Sequence, residues 1–178
     1  MMKQLIIAKI ILISLFFVNN VLAETDIDQV PPEQAKKLYQ VIDLLEEQGI
    51  KQILSIQFDD WIWKAASLDG NKKTYFYISP DSLVIFKKKH EYELDPMPPV
   101  DGKSIRDILA IVEKTGYRNI RQIVFENFVW KVKTYSISDE EKKFIIEPLS
   151  GSILYKNAQT KRSKPYLIYG LAKAIYSP

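Results

Sequence analysis

Two stretches of this chain, residues 38–88 and 105–156, are copies of one pattern, and this duplication limits the fold more than any single residue does. With one residue inserted in the second copy, thirteen aligned pairs are identical: Glu46/Glu113, Gly49/Gly116, Ile53/Ile120, Ile56/Ile123, Phe58/Phe125, Trp63/Trp130, Lys64/Lys131, Phe76/Phe144, Ile78/Ile146, Pro80/Pro148, Ser82/Ser150, Ile85/Ile153 and Lys88/Lys156. Matched tryptophans and prolines, both rare residues, put this beyond coincidence. A period near 67 residues exceeds that of the common solenoid repeats, so the pattern predicts a duplicated small domain and not an array.

Each copy opens on a helical period. Leu38, Val41, Ile42 and Leu45 fall at i, i+3, i+4, i+7, after a Pro31-Pro32-Glu33 start, and Gly49 stops the run. Ile105, Ile108, Leu109 and Val112 repeat the stripe, with Ser104 and Asp107 as a capping pair and Gly116 as the stop. The period then changes to two. Strands are expected over 53–58 and 120–125, then 61–67 and 128–134, joined by polar turns at Asp59-Asp60 and Glu126-Asn127. Trp61, Trp63 and Ala65 are expected on one face of their strand, as are Phe128, Trp130 and Val132, with Ile62 and Lys64 on the other. Third strands (73–78, 143–146) and short fourth strands (83–87, 152–156) complete each copy. The expected class is α+β: two units, each one helix packed on a three- or four-stranded antiparallel sheet. Phe58, Phe125, Trp63 and Trp130 are its expected core, and Gly49 and Gly116 its structural glycines.

The organisation follows. Residues 1–23 read as a signal peptide: Lys3 and Lys9 precede a nine-residue apolar run from Ile10 to Val18, broken only by Ser14, and Val21-Leu22-Ala23 suits cleavage after Ala23. Nine residues are too few for a hydrocarbon core that takes about 20. Residues 24–92 form the first repeat, 93–103 a stiff proline-rich linker, 104–156 the second repeat, and 157–178 a basic, apolar tail. The absence of cysteine excludes disulfides and leaves packing to hold an exported protein together. Some 150 residues suffice, since a chain of about that length buries roughly 70% of its unfolded surface. From Lys156 onward there are five basic residues and no acid, while residues 24–155 carry a net charge of −4. An exported chain with an acidic body is a poor nucleic-acid ligand.

In order along the first copy, Gly49-Ile50, Ile53, Ile56, Phe58-Asp59-Asp60, Trp63-Lys64-Ala65, Asp69-Gly70 and Ile78-Ser79-Pro80 resemble the PepSY domain family. So do Gly116-Tyr117, Ile120, Ile123, Trp130-Lys131-Val132 and the closing run from Ile146 to Ile153 in the second. That resemblance implies an extracytoplasmic module without chemistry of its own. Such modules occur in propeptides of secreted metallopeptidases and in envelope regulators, where they are proposed to bind or restrain peptidases.

The inventory for catalysis is thin. There is no Cys nucleophile, and the lone histidine, His90, sits in the charge run Lys87-Lys88-Lys89-His90-Glu91, so a three-His or Cys/His metal site cannot be assembled. Asp59 and Asp60 read as turn formers and not as an acid/base pair, since neighbours on a strand point to opposite faces. Asp59, Asp60, Glu126 and Asn127 have the oxygen chemistry calcium prefers but lack the dense acidic spacing of a calcium loop. No catalytic, metal or cofactor residues are therefore expected. Trp61, if exposed on a rim, is the candidate partner anchor, with Asp59, Asp60, Glu126 and Asn127 beside it. The expected function is binding of another extracytoplasmic protein, such as a peptidase, or of a peptide segment, in the periplasm or medium. A second reading is an envelope-associated structural protein held on a membrane surface by the tail through Lys161, Arg162, Lys164 and Lys173.

Overall fold

The computed structural model describes residues 30–92, 96–135 and 140–160. The expected signal peptide, the tail beyond residue 160 and residues 93–95 of the expected linker lie outside them. In chain order the elements are α1 (Leu38–Glu47), β1 (Ile53–Asp59), β2 (Ile62–Asp69), β3 (Lys72–Ile78), β4 (Ile85–Tyr92), α2 (Ile105–Glu113), β5 (Ile120–Glu126), β6 (Val129–Tyr135), β7 (Glu140–Ile146) and β8 (Ile153–Thr160).

Two helix-on-sheet units are not what forms. All eight strands join one antiparallel sheet in the order β4-β3-β2-β1-β5-β6-β7-β8, with only two short helices among the described residues. The reason lies at the seam. A four-stranded sheet built from the first copy would end in β1, leaving a row of unpaired N–H and C=O groups beside apolar residues, and the second copy would expose β5 in the same way. Pairing β1 with β5 satisfies both edges. Ile56 pairs with Ile123, its own counterpart in the other copy, flanked by Ser55↔Val124 and Gln57↔Gln122. A pseudo-twofold axis therefore runs through the Ile56–Ile123 pair.

The apolar stripes of both helices cover one face of this sheet, and a single core results. Val41, Ile42 and Leu45 from α1 and Ile108 and Val112 from α2 pack with Ile56, Phe58, Trp63, Phe76, Ile78, Ile123, Phe125, Trp130, Phe144 and Ile146. Arg106 at the start of α2 reaches across to α1, meeting Asp43 at 2.6 Å and Glu46 at 2.7 Å. The helix ends follow their sequence signals. Ser104 Oγ accepts from the Asp107 backbone N–H at 3.2 Å, and Asp107 accepts from the Ser104 N–H at 2.9 Å. Gly49 and Gly116 leave the helices with φ of 77° and 93°, a region side-chain-bearing residues avoid.

Several boundaries differ from those expected. Residues 32–35 form a turn, with the Ala35 N–H donating to the Pro32 carbonyl at 2.9 Å, and α1 begins five residues after Glu33, capped by Gln40 accepting from the Lys37 N–H at 2.9 Å. The fourth strands are longer than expected, because each pairs along the full length of its neighbour, β4 on β3 and β8 on β7. Trp61 and Phe128 belong to the turns and not to β2 and β6, so they do not share a strand face with Trp63 and Trp130. The extra residue of the second copy falls in the β6–β7 connection: Leu68 pairs with Lys73, whereas its counterpart Tyr135 pairs with Glu141.

Candidate functional site

The turns holding the expected contact residues are two-residue hairpins, closed by the pairs Asp59↔Ile62 and Glu126↔Val129. Both central residues of each turn have positive φ: Asp60 49° and Trp61 64° in the first, Asn127 52° and Phe128 62° in the second. This is the type I′ geometry that matches strand twist, and it ordinarily takes Asn-Gly. Here both copies place a bulky aromatic residue where glycine is favoured, a strained arrangement of the kind that collects at functional positions.

Around the first tip, Lys64 Nζ donates to Asp59 Oδ2 at 2.7 Å and also pairs with Asp60. The turn thus brings together two carboxylates that strand alternation would separate. Partial burial pulls the Lys64 pKa down, but the hydrogen bonds it donates to both aspartates outweigh it and hold the ammonium above its ordinary range. At the second tip Lys131 donates to Glu126 at 2.6 Å. The tips do not meet. Antiparallel pairing of β1 with β5 places Asp59 and Glu126 at opposite ends of the sheet, roughly 20 Å apart at about 3.3 Å per residue. No shared cation site can form across them, since calcium needs oxygens at about 2.3–2.6 Å.

Trp61 is half-buried, edge-on to Phe58 with ring centroids 6.5 Å apart. Its counterpart Phe128 is 72% exposed. Phe128, expected on a strand, is a further candidate contact residue, and its signal in the sequence is an aromatic residue directly after the turn-forming Asn127. Trp63 and Trp130 are buried in the core, each edge-on to its phenylalanine, Phe58 or Phe125, at 5.2 Å. His90 lies on the edge strand β4, where Nδ1 sits 2.9 Å from the Thr74 hydroxyl. Among the described residues no group of three or more His, Asp or Glu side chains converges.

Strand alternation puts a second surface on the face away from the helices. The first copy contributes Lys64, Lys73, Lys87 and Lys89 with Tyr75 and Tyr77, and the second Lys131, Lys133 and Lys143 with Tyr135 and Tyr155. Lys73 lies over Tyr75 at 5.1 Å and Lys87 over Tyr77 at 4.9 Å. Among the described residues, carboxylates on this face sit in ion pairs: Asp59 with Lys64, Glu91 with Lys89, Glu126 with Lys131 and Glu141 with Arg121. No helix among the described residues covers it.

On the helix side, a cleft of about 670 Å³ opens beyond the end of α1, reached from the edge strand β4. Among the described residues Ile50 and Phe76 line it, with Lys51, Lys72, Lys88 and His90, and one carboxylate, Asp69.

No family model matches the chain, and no curated protein matches it. A solved structure of a candidate lipoprotein from Clostridium difficile 630 is similar at 14% identity, covering 78% of this chain and 98% of that one with a TM-score of 0.41, a likeness too loose to bear on function.

Proposed function

We propose that this chain is an exported, non-enzymatic protein-binding module of PepSY-like character that engages an extracytoplasmic protein, such as a peptidase, or a peptide segment, in the periplasm or medium. The observation that carries the reading is the one-sided sheet: eight strands packed against helices on one face present a broad basic, tyrosine-bearing platform on the other. Tyrosine offers large contact area with a polar tip, and lysines around it favour a partner of negative potential. Export is supported by the basic start, apolar run and Ala23 cleavage pattern of residues 1–23. The peptidase partner is what the PepSY resemblance implies.

The test is capture from envelope and culture-fluid extracts with residues 24–178, in three forms: unaltered, Lys87→Glu/Lys133→Glu on the open face, and Lys114→Glu on the helix side. The reading expects one stoichiometric partner, kept by the helix-side variant and lost by the open-face variant. Recovery insensitive to the open-face reversal, or a turnover by the purified chain that His90→Ala abolishes, would overturn it.

A further inference from the structure

Ile50 and Tyr117 hold the same place in the two copies, one residue after the glycine that ends each helix, and they leave different surfaces. In the second copy the Tyr117 ring packs edge-on against Phe144, centroids 5.5 Å apart at 67°, and Lys156 Nζ lies over both rings, 4.8 Å from Tyr117 and 5.5 Å from Phe144. The first copy repeats two of these three parts. Phe76 stands for Phe144 and Lys88 for Lys156, with Lys88 Nζ 5.6 Å from the Phe76 ring. The third part is missing, because Ile50 has no ring to offer. Ile50, Phe76 and Lys88 instead line the 670 Å³ cleft.

The second copy therefore displays, in covalent form, the group that the first copy's surface is shaped to take. We infer that the cleft of the first copy receives an aromatic side chain from an acidic peptide segment of a partner, seated edge-on to Phe76 beneath Lys88. Its geometry would repeat that of Tyr117, an edge-to-face ring pair with an ammonium on the aromatic face. The cleft lies within the size range of sites that take small ligands or side chains. Charge selects the peptide: among the described residues Lys51, Lys72 and Lys88 line the cleft against one carboxylate, Asp69, so acidic residues beside the aromatic ring are favoured and basic ones repelled. This site lies on the helix side and does not depend on the open face.

The probe is a fluorescein-labelled Glu-Glu-Phe-Glu-Glu peptide, followed by anisotropy against residues 24–178, with Glu-Glu-Ala-Glu-Glu as control. The inference expects saturable binding of the Phe peptide, at least tenfold weaker binding of the Ala peptide, and a similar loss in Ile50→Tyr, which installs the second copy's own plug. Lys88→Ala keeps the test open should Ile50→Tyr fail to fold, and is expected to weaken binding severalfold. Absence of saturable binding, equal binding of the two peptides, or binding unchanged in a folded Ile50→Tyr or Lys88→Ala variant would overturn the inference. Such a failure leaves the capture result untouched, so the two readings fall separately.

Discussion

The two copies share a core and differ around it, and the differences run in one direction. Where the first copy has Ile50 and an open cleft, the second has Tyr117 filling the space beside Phe144. Where the first has Leu54 at the bulge of β1, the second has Arg121 at the matching bulge of β5, in a buried ion pair with Glu141 whose side chains are 7% and 5% exposed. The first copy's helix starts on Lys37, while the second's starts on a serine in a full capping box. Duplication supplies the same backbone twice. One copy is closed by its own side chains, and the other keeps an open cleft, the surface proposed above to take a partner's aromatic side chain.

The largest effects test the shared core. Trp63→Ala and Trp130→Ala should each cost roughly 3–5 kcal/mol in denaturant unfolding, the range for emptying a buried aromatic site. Trp63 should be the costlier, because its indole N–H donates to the Lys36 carbonyl at 3.1 Å, whereas the Trp130 Nε1 has no hydrogen-bond partner among the described residues. Equal costs, or a larger one at Trp130, would remove that distinction between the copies.

Next comes the ion pair that only the second copy has. Arg121→Leu alone restores the residue of the first copy and leaves Glu141 buried with Lys143 at 3.4 Å, which should cost about 3 kcal/mol. Arg121→Leu with Glu141→Met should recover most of the loss, since replacing a whole buried pair by apolar residues is often neutral. A double variant as unstable as the single one would show that the pair is worth more than its desolvation.

The caps offer a smaller contrast with a pH signature. Ser104→Ala should cost about 1 kcal/mol, and Lys37→Ser should stabilise by a comparable or smaller amount. Hydrogen bonds from the Ser104 hydroxyl and backbone N–H hold the Asp107 carboxyl below its ordinary range. Its contribution is therefore present above the unfolded-state pKa of about 4 and lost as pH falls through the lower folded-state value. Stability of Ser104→Ala should accordingly depend less on pH at the acid end, measured as denaturant midpoints between about pH 2 and 5.

Smallest is the effect at the tips. Phe128→Gly should stabilise by about 0.5–1 kcal/mol by relieving a bulky residue at positive φ, while Trp61→Gly should gain less because Trp61 also packs on Phe58. Destabilisation by Phe128→Gly would mean the exposed ring supports the fold.

Much of this architecture is legible in the chain. The helix stripes, the helix-ending glycines, the hairpin positions and the burial of Trp63 and Trp130 follow from periods of 3.6 and 2 and from turn chemistry, which are local properties. The seam is not legible. Ile56 and Ile123 read as apolar strand residues in either arrangement, and nothing in a strand's period states which neighbour closes its edge. The same holds for the Arg121–Glu141 pair, twenty residues apart in sequence, and for the cleft, which exists only through the contrast of Ile50 with a tyrosine 67 positions later. Phe128 was hidden because its exposure depends on a turn type that usually demands glycine.

The central claim is that the two copies close one sheet across the β1–β5 seam. Gln57 and Gln122 face each other there, Gln122 Nε2 donating to Gln57 Oε1 at 3.3 Å, and the chain has no cysteine to confuse an added pair. Gln57→Cys/Gln122→Cys should oxidise to an intramolecular disulfide in dilute protein, read by mass and by monomeric gel mobility, and should raise stability by up to about 4 kcal/mol. Free thiols that persist under mild oxidant, or cross-linking only between molecules, would contradict a seam at which the copies meet.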